Sequence, residues 1–244
     1  MDRRLRRLLN RTEKAIRGCL VQDWRQHRLS TEESLSQVLR LLKVDCVFDV
    51  GANDGGYATM LRDYCGYSGR IISFEPTPDV FAKLHKAASG DDLWNAHGYA
   101  LGRHDGTAKM QVHHARLGSS FLPVTDQVAH LSGNKIEQEI DVPVKTLNSL
   151  FPAFQKEFGF ARPFLKMDTQ GFDMEVFLGA MDVIDSFIGL QSELSVASYY
   201  KGAPFWLDSL AAYEKAGFVL SNFVPSTGGT DLKLHEIDCI MVRQ

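Results

Sequence analysis

The sequence predicts an α/β protein with a mostly parallel sheet and helices on both faces of that sheet. From residue 44 onward, short apolar segments rich in strand-forming residues alternate with segments of helical spacing. This alternation is typical of parallel strands joined by crossover helices. The last two predicted strands are joined by the turn-rich segment 225–231, so we expect a terminal hairpin that adds one antiparallel strand.

The predicted elements follow one another along residues 44–244, which we expect to form one domain. Strands are predicted at 46–50, 70–74, 93–99, 108–113, 138–143, 163–168, 186–194, 217–224 and 236–242. Helices are predicted at 56–65, 77–88, 146–157, 172–180 and 204–216. With 244 residues, the chain is long enough for a single α/β domain with a substantial core.

Residues 1–43 are predicted to form a helical extension in front of this domain. The first segment is a basic amphipathic helix, and Ser30 or Thr31 can cap a second helix. The first segment suits either a membrane-surface or partner-binding arm, or a cap packed on the domain or a contact within a homodimer. We favour the packing role, because apolar residues are few there and Glu13 and Asp23 interrupt the positive charge.

Charge and cysteine content restrict the partners and the compartment. The net charge is −3, with a surplus of six positive charges in residues 1–43 and −9 in the remainder. Nucleic acid is therefore an unexpected partner, because phosphate contacts need clustered positive charge. The four cysteines show no C-x-x-C or metal-ligand spacing, no apolar stretch is long enough to span a bilayer, and no signal-peptide pattern is present. We expect a cytoplasmic protein without stable membrane insertion.

The first predicted strand runs into a glycine-rich turn that opens a helix. The apolar residues of 46–50 favour a buried strand, and Gly51 ends it where the chain must turn sharply. Gly55 and Gly56 lack a Cβ that would keep the backbone away from a ligand. A helix that starts near Tyr57 points its unpaired N–H groups at whatever occupies the turn.

A carboxylate follows the second predicted strand. Glu75 and Pro76 end the segment 70–74, and Glu75 stands 26 residues after Asp49. An acid at the tip of this strand is placed to accept hydrogen bonds from two ribose hydroxyls. Together with the glycine turn, this acid predicts a cofactor that contains adenosine. After the third predicted strand, the small residue Ala100 would let the adenine lie against backbone.

The third position of the glycine turn distinguishes between cofactor classes. A dinucleotide fingerprint needs glycine at the first, third and sixth positions, which here are Gly51, Asn53 and Gly56. The Asn53 side chain would crowd a pyrophosphate, but it suits a ligand with no phosphates and a polar amino-acid end. S-adenosylmethionine is such a ligand. Asp49 would face its amine, while Asn53 and the helix N-terminus would face its carboxylate.

Several blocks of sequence, taken in order, resemble those of FkbM-type methyltransferases over roughly residues 44–244. The blocks are DVGANDGGY at 49–57, FEP at 74–76, VKTLNSL at 144–150, FLKMDTQG at 164–171, Glu175 and LGA at 178–180. The resemblance implies a class I methyltransferase fold with a seven-stranded sheet. It also implies methylation of an oxygen on a sugar or small natural product. The sequence departs from the family at Gln170 and Asp173, where relatives often have glutamate.

The motifs and the resemblance together give a set of expected cofactor-binding residues. These are Asp49, Gly51, Asn53, Gly55, Tyr57, Glu75, Pro76, Ala100 and Asp168. Asp168 ends the strand 163–168 at the same sheet edge as Asp49, which places it near the methionine amine and the transferred methyl group. Lys166 lies two residues earlier on the same face of the strand. We expect Lys166 to be a buried partner of the Asp168 carboxylate.

Methyl transfer to a hydroxyl requires alignment and a proton acceptor. The sulfonium is already activated, so much of the rate comes from holding the oxygen in line, and a base adds about 10²–10⁴-fold. The candidate catalytic groups are Asp168, His114 and Glu193. His113 and His114 point to opposite faces of a strand, so at most one faces the site. The two acids could chelate Mg²⁺, but no spacing requires a metal and no metal site is predicted.

Three functions are open at this point. The first is an S-adenosylmethionine-dependent O-methyltransferase that acts on a saccharide or small natural product. The second is a small-molecule N-methyltransferase, which is disfavoured because an Asn-Pro-Pro-Tyr type of signature is missing. The third is a non-catalytic adenosine-binding module whose basic helix recruits a partner.

Overall fold

The computed structural model describes residues 31–113, 119–125, 136–197, 199–225 and 234–243. The first segment of the predicted N-terminal extension and the candidate base His114 therefore lie outside the described residues. Within these described residues the chain forms ten strands, which are β1 Cys46–Val50, β2 Arg70–Phe74, β3 Trp94–His97, β4 Ala100–Leu101, β5 Gly106–His113, β6 Ile136–Lys145, β7 Pro163–Met167, β8 Gly189–Ser195, β9 Phe218–Pro225 and β10 Glu236–Arg243.

Seven of these strands form the main sheet, in the order β3-β2-β1-β7-β8-β10-β9. Neighbours from β3 to β8 pair in parallel, while β10 runs antiparallel to both β8 and β9. The predicted fold class, with its terminal antiparallel hairpin strand, is confirmed. The strand order reverses between β1 and β7, and ligands of open α/β sheets bind at such a reversal, beyond the carboxyl ends of the strands.

The helices cover both faces of the main sheet. They are α1 Thr31–Leu41, α2 Gly56–Asp63, α3 Pro78–Ala88, α4 Leu147–Phe158, α5 Asp173–Leu178 and α6 Trp206–Lys215, with a 3₁₀ turn at Ile184–Ser186. Side chains alternate along β1, so that Phe48 and Val47 belong to opposite apolar cores. Helices α4 to α6 pack on the Phe48 side, and α1 to α3 pack on the Val47 side. None of the described helices is long and apolar enough to cross a membrane.

The centre of the Phe48 side is a cluster of aromatic rings. The Phe48 ring lies between 5.3 and 6.3 Å, centroid to centroid, from five others, which are those of Phe74, Phe151, Phe154, Phe160 and Phe187. Contacts of this kind add about 0.5–1.5 kcal/mol per pair beyond burial of area. They fix β1 against β2 and α4, and so fix where the glycine turn leaves the sheet.

A second, three-stranded sheet lies outside the main one and has the order β4-β6-β5. The predicted strands 108–113 and 138–143 belong to this sheet. The predicted strand 93–99 is shorter in the structure, where β3 covers Trp94–His97, and β4 follows it at Ala100–Leu101, beyond the predicted strand. Because Ala100 pairs with Val144 in β6, the chain leaves the main sheet directly after β3. Residue type favours a strand in these segments, but it does not specify which strand becomes the hydrogen-bond partner.

A close backbone contact joins this small sheet to the body of the domain. Gly179 ends α5, and a Cβ built on it would lie 2.0 Å from the carbonyl oxygen of Gly102. Gly102 in turn donates its N–H to the carbonyl of Lys145 at the end of β6, at 3.0 Å. The backbone of Gly179 has φ −76°, so its lack of a side chain matters only for space.

We expect Gly179→Ala to lower the free energy of unfolding by at least about 2 kcal/mol, because a backbone carbonyl cannot rotate out of the way as a side chain can. Gly106→Ala is the matched control, because a Cβ on Gly106 would meet no atom within 4 Å. Urea denaturation of both variants measures the difference. Equal stability of the two variants would contradict the contact.

Candidate active site

A cavity of about 680 Å³ opens at the carboxyl ends of β1, β2 and β7. Residues from the turns after these strands form one wall, and side chains of the small sheet, such as Met110 and Val112, form the other. Six predicted site residues line the cavity, namely Gly51, Asn53, Glu75, Pro76, Ala100 and Asp168. The described residues contain no group of three or more His, Cys, Asp or Glu side chains arranged to hold a metal ion.

Gly51 is required by the neighbouring strand. It has φ +73°, and a Cβ on it would lie 1.9 Å from the carbonyl oxygen of Asp168. Both observations exclude larger residues there. The turn after β1 and the turn after β7 are therefore in direct backbone contact at the cavity floor.

Gly55 packs closely against a neighbouring side chain. It has φ +91° and is buried, and a Cβ on it would lie 2.8 Å from the indole of Trp94. It lies outside the cavity wall, so its small size serves packing of α2 against β3. A Cβ on Gly56 would meet only Asp54, at an ordinary 3.5 Å.

The Glu75 carboxylate is held by two backbone N–H groups. Its Oε2 accepts from Asn53 at 3.1 Å, and its Oε1 accepts from Thr77 at 2.8 Å. Burial raises the pKa of Glu75, and the hydrogen bonds from Thr77 and Asn53 oppose that rise. Both oxygens are thus fixed at the cavity wall, and each keeps a lone pair for a further donor.

Asn53 contributes to this arrangement through its backbone. Its φ of +49° lies in the left-handed region, which asparagine tolerates better than most residues. This conformation aims the Asn53 N–H at Glu75, while its side chain is exposed at the mouth of the cavity. The sequence pattern suggested a role for the amide side chain, whereas the geometry explains the asparagine by its backbone conformation.

Lys166 connects the residues at the ends of β1 and β7 that form the floor of the cavity. Its ammonium lies 3.2 Å from Asp49 Oδ1 and 3.6 Å from Asp168 Oδ2, and it donates to the carbonyl oxygens of Val50 and Gly51 at 3.4 and 3.2 Å. Burial disfavours its charge, but Asp49 and Asp168 outweigh burial and raise the pKa of Lys166. The predicted pairing of Lys166 with Asp168 is present, and Asp49 is a second, closer partner.

Asp49 and Tyr57 lie beneath the cavity wall. Asp49 is fully buried and accepts from the Ser73 hydroxyl at 3.0 Å, in addition to its ion pair with Lys166. The Tyr57 hydroxyl donates to Gln191 at 2.9 Å, and its ring lies 5.0 Å from the Lys166 ammonium. These two predicted cofactor-binding residues therefore support the floor from below in this structure and do not face the cavity.

Asp168 and Glu193 are brought together by a residue that sequence reasoning did not select. Gln170 Nε2 donates to Asp168 Oδ1 and to Glu193 Oε2, each at 3.2 Å. Of the two acids, Asp168 lines the cavity with 40% of its side chain exposed, while Glu193 lies behind Gln170. The signal that could have identified Gln170 is its place beside Asp168 in a turn before a helix.

Further acids surround Glu193. Burial, Asp168 and Glu236 raise the pKa of Glu193, while burial and Asp168 raise the pKa of Asp238, which faces Glu193 across the β8–β10 pair, to about 7. Asp173 is buried and accepts from Thr169 at 2.7 Å and from the Ser192 hydroxyl at 2.8 Å. The raised pKa values favour the protonated, uncharged forms of Glu193 and Asp238. The Asp168 carboxylate, which lines the cavity, is therefore the group that favours neutral or cationic ligands at this end.

The arrangement has two chemically distinct ends. Glu75 offers two fixed acceptor oxygens that match a pair of neighbouring hydroxyls, and Ala100 and Leu101 line the same cavity. Asp168 offers a partly exposed carboxylate that is supported by Lys166 and Gln170. A nucleoside that carries a cationic substituent suits this cavity. Its ribose hydroxyls can donate to Glu75, and its positive charge can lie beside Asp168.

Comparison with known proteins agrees with the geometry. The sequence matches the family described as Methyltransferase FkbM domain over residues 49–220. No curated protein matches the sequence. Among solved structures, methyltransferase FkbM from Methylobacillus flagellatus KT is 12% identical, with a TM-score of 0.50, and the match covers 81% of this chain but only 43% of that one. The chain thus spans less than half the length of that structure.

Two further similar structures have lower scores. Magnesium protoporphyrin IX methyltransferase from Synechocystis PCC 6803, with bound S-adenosylmethionine, is 10% identical with a TM-score of 0.46, and the match covers 88% of this chain and 78% of that one. Fibrillarin from Aeropyrum pernix, also with bound S-adenosylmethionine, is 11% identical with a TM-score of 0.43, and the match covers 81% and 66%.

We expect Lys166→Met to lower the free energy of unfolding by about 3–5 kcal/mol, because it leaves the Asp49 carboxylate buried without a countercharge. Urea denaturation measures the loss. Lys156→Met, at an exposed position of α4, is the control and should change stability by less than about 0.5 kcal/mol. Adding Asp49→Asn to Lys166→Met should recover part of the loss. Wild-type stability of Lys166→Met would contradict the role of the ion pair.

Proposed function

The chain belongs to the FkbM methyltransferase family, whose cofactor is S-adenosylmethionine, and we propose that it methylates a hydroxyl of a saccharide or small natural product. The observation that carries this proposal is one cavity with two ends. Glu75, held by two N–H groups, lies at one end, and the supported carboxylate of Asp168 lies at the other.

The cofactor fits this cavity in one direction. The ribose hydroxyls donate to Glu75, and the adenine lies beside Pro76 and the small residue Ala100. The methionine part then runs along Gly51 towards Asp168. The negative end of the cavity suits a cofactor that carries both a sulfonium and an ammonium group.

Asp168 is the base in this proposal. The hydroxyl oxygen of the acceptor attacks the methyl carbon, the carbon–sulfur bond breaks, and its electron pair stays on sulfur as a neutral thioether. The hydroxyl proton passes to the Asp168 carboxylate. Glu193 is separated from the cavity by Gln170, and His114 lies outside the described residues, so Asp168 is the candidate that the geometry favours.

Loss of the cofactor's positive charge assists turnover. S-adenosylmethionine becomes S-adenosylhomocysteine, which has the same groups without the sulfonium charge. Asp168 attracts the sulfonium but has no corresponding attraction for the thioether. The site should therefore bind the substrate form of the cofactor more tightly than the product form.

The remaining assignments are also proposals. Residues 44–244 form the methyltransferase domain, and residues 1–43 form an extension that caps it or joins two copies of the chain. In support of the capping role, Leu35 and Leu39 of α1 are buried in the core on the Val47 side of the sheet. The free thiols of Cys46 and Cys239 suit a reducing compartment such as the cytoplasm.

Two substitutions at Asn53 test whether its backbone or its side-chain amide supports cofactor binding at the Glu75 end of the cavity. We expect Asn53→Gly to bind S-adenosylmethionine with an affinity within about threefold of wild type, because glycine keeps the left-handed conformation and its N–H. Asn53→Ala should lower the stability of the free protein by about 1–2 kcal/mol, the cost of that conformation for most residues. Calorimetry and thermal unfolding measure the two effects. A tenfold loss of affinity in Asn53→Gly would instead assign the contact to the amide side chain.

Binding and label transfer test the function itself. Calorimetry should detect S-adenosylmethionine and not NAD, and incubation with methyl-labelled cofactor and a metabolite extract should give a labelled small molecule. Asp168→Asn should reduce label transfer at least about 100-fold through loss of the base, whereas Asp92→Asn, at an exposed position, should not. Cofactor binding without any labelled product would favour a non-catalytic adenosine-binding module. Label on an amine would favour N-methylation.

A further inference from the structure

Gln170 lines the cavity beside Asp168, at the end where we propose that the methyl acceptor binds. Its side-chain Nε2 donates to Asp168 Oδ1 and to Glu193 Oε2, and its Oε1 accepts from the Tyr200 hydroxyl at 2.9 Å. Its backbone carbonyl accepts from the Ser120 hydroxyl at 2.8 Å. One residue thus connects the turn after β7 and strand β8 with Ser120 and Tyr200.

A neutral donor lies between the two acids. Asp168 directly follows β7, and Glu193 lies two residues before the end of the adjacent parallel strand β8. Because Met167 pairs with Ser192, the two carboxyl groups lie side by side. A primary amide offers two N–H donors on one nitrogen, and both are used here. A carboxylate in the same place would offer none.

The Tyr200 hydroxyl fixes the orientation of the Gln170 side-chain amide. Burial raises the pKa of Tyr200, so its phenol keeps its proton and can donate to the amide oxygen. The backbone of Gln170 has φ +56° and that of Gly171 has φ +86°. A Cβ on Gly171 would approach the Tyr200 ring to 3.0 Å. The left-handed backbone of Gln170 and Gly171 therefore runs along the Tyr200 ring. This backbone path places the Gln170 amide nitrogen beside Asp168 and Glu193.

We propose that Gln170 is a positioning residue for methyl transfer, which holds the Asp168 carboxylate in the orientation that receives the acceptor's proton. This inference rests on the proposed function. Asp168 Oδ1 is bound by Gln170 and Oδ2 faces Lys166, so both oxygens are fixed while the group stays open to the cavity. Without Gln170, the Lys166 contact at 3.6 Å is the remaining restraint described for this partly exposed side chain.

Two substitutions separate hydrogen bonding from space filling. Gln170→Met keeps the length of the side chain without its donors, and Gln170→Glu keeps its shape but reverses its role from donor to acceptor. Misplacement of a reacting group by about 1 Å can cost on the order of 100-fold in rate. We therefore expect label transfer from S-adenosylmethionine into the metabolite extract to fall roughly 10- to 100-fold in both variants. The affinity for S-adenosylmethionine, measured by calorimetry, should stay within about threefold.

Matched controls complete the experiment. Gln155→Met and Gln155→Glu make the same changes at an exposed position of α4 and should leave label transfer unchanged. Tyr200→Phe removes the hydroxyl that orients the amide and should give a smaller loss of transfer than Gln170→Met, with cofactor affinity retained.

The outcomes distinguish this inference from the function on which it rests. Label transfer by Gln170→Met at the wild-type rate would overturn the positioning role and leave the methyltransferase proposal intact. A loss of cofactor affinity equal to the loss of transfer would also overturn it, because Gln170 would then act on cofactor binding. If the wild-type protein bound the cofactor and labelled nothing, the proposed function would fail, and this inference with it.

Discussion

The buried ammonium of Lys166 is the interaction on which the site depends. It contacts the Asp49 carboxylate, the backbone carbonyls of the glycine turn and the Asp168 carboxylate. The turns after β1 and β7 already touch through Gly51 and the carbonyl of Asp168. A single cation at this junction offsets two acids and two carbonyl dipoles that would otherwise repel one another. The floor of the cavity is therefore held in place before any ligand enters.

Each end of the cavity is supported by groups that a ligand need not touch. At one end, Glu75 is held by the N–H groups of Asn53 and Thr77. At the other end, Asp168 is held by Lys166 and Gln170. Because these side chains are already held in place, less conformational entropy is lost when a ligand binds. Such preorganisation commonly raises both the affinity and the reaction rate of a site.

Much of the site follows from local sequence signals, and several parts of it do not. Glu75 and Asp168 were predicted at strand ends and line the cavity, because the carboxyl ends of parallel strands meet at one edge. Asp49 and Tyr57 were predicted to contact the cofactor, but they face the network beneath it, since period-2 alternation does not say which face of a two-sided sheet the ligand uses. The sequence marks Gln170 only as a departure from the family pattern, because its partners Glu193 and Tyr200 are distant in sequence.

The sequence by itself determined the α/β class, the terminal hairpin and the edge of the sheet that carries the chemistry, because strand periodicity, glycine turns and terminal acids are local features. The tertiary structure alone decided that β4, β5 and β6 form a separate sheet over the cavity. It also decided that the backbone N–H of Asn53 bonds Glu75 and that the Gln170 amide joins Asp168 to Glu193. Such contacts join residues from distant parts of the chain or depend on backbone conformation, and residue type and spacing do not encode them.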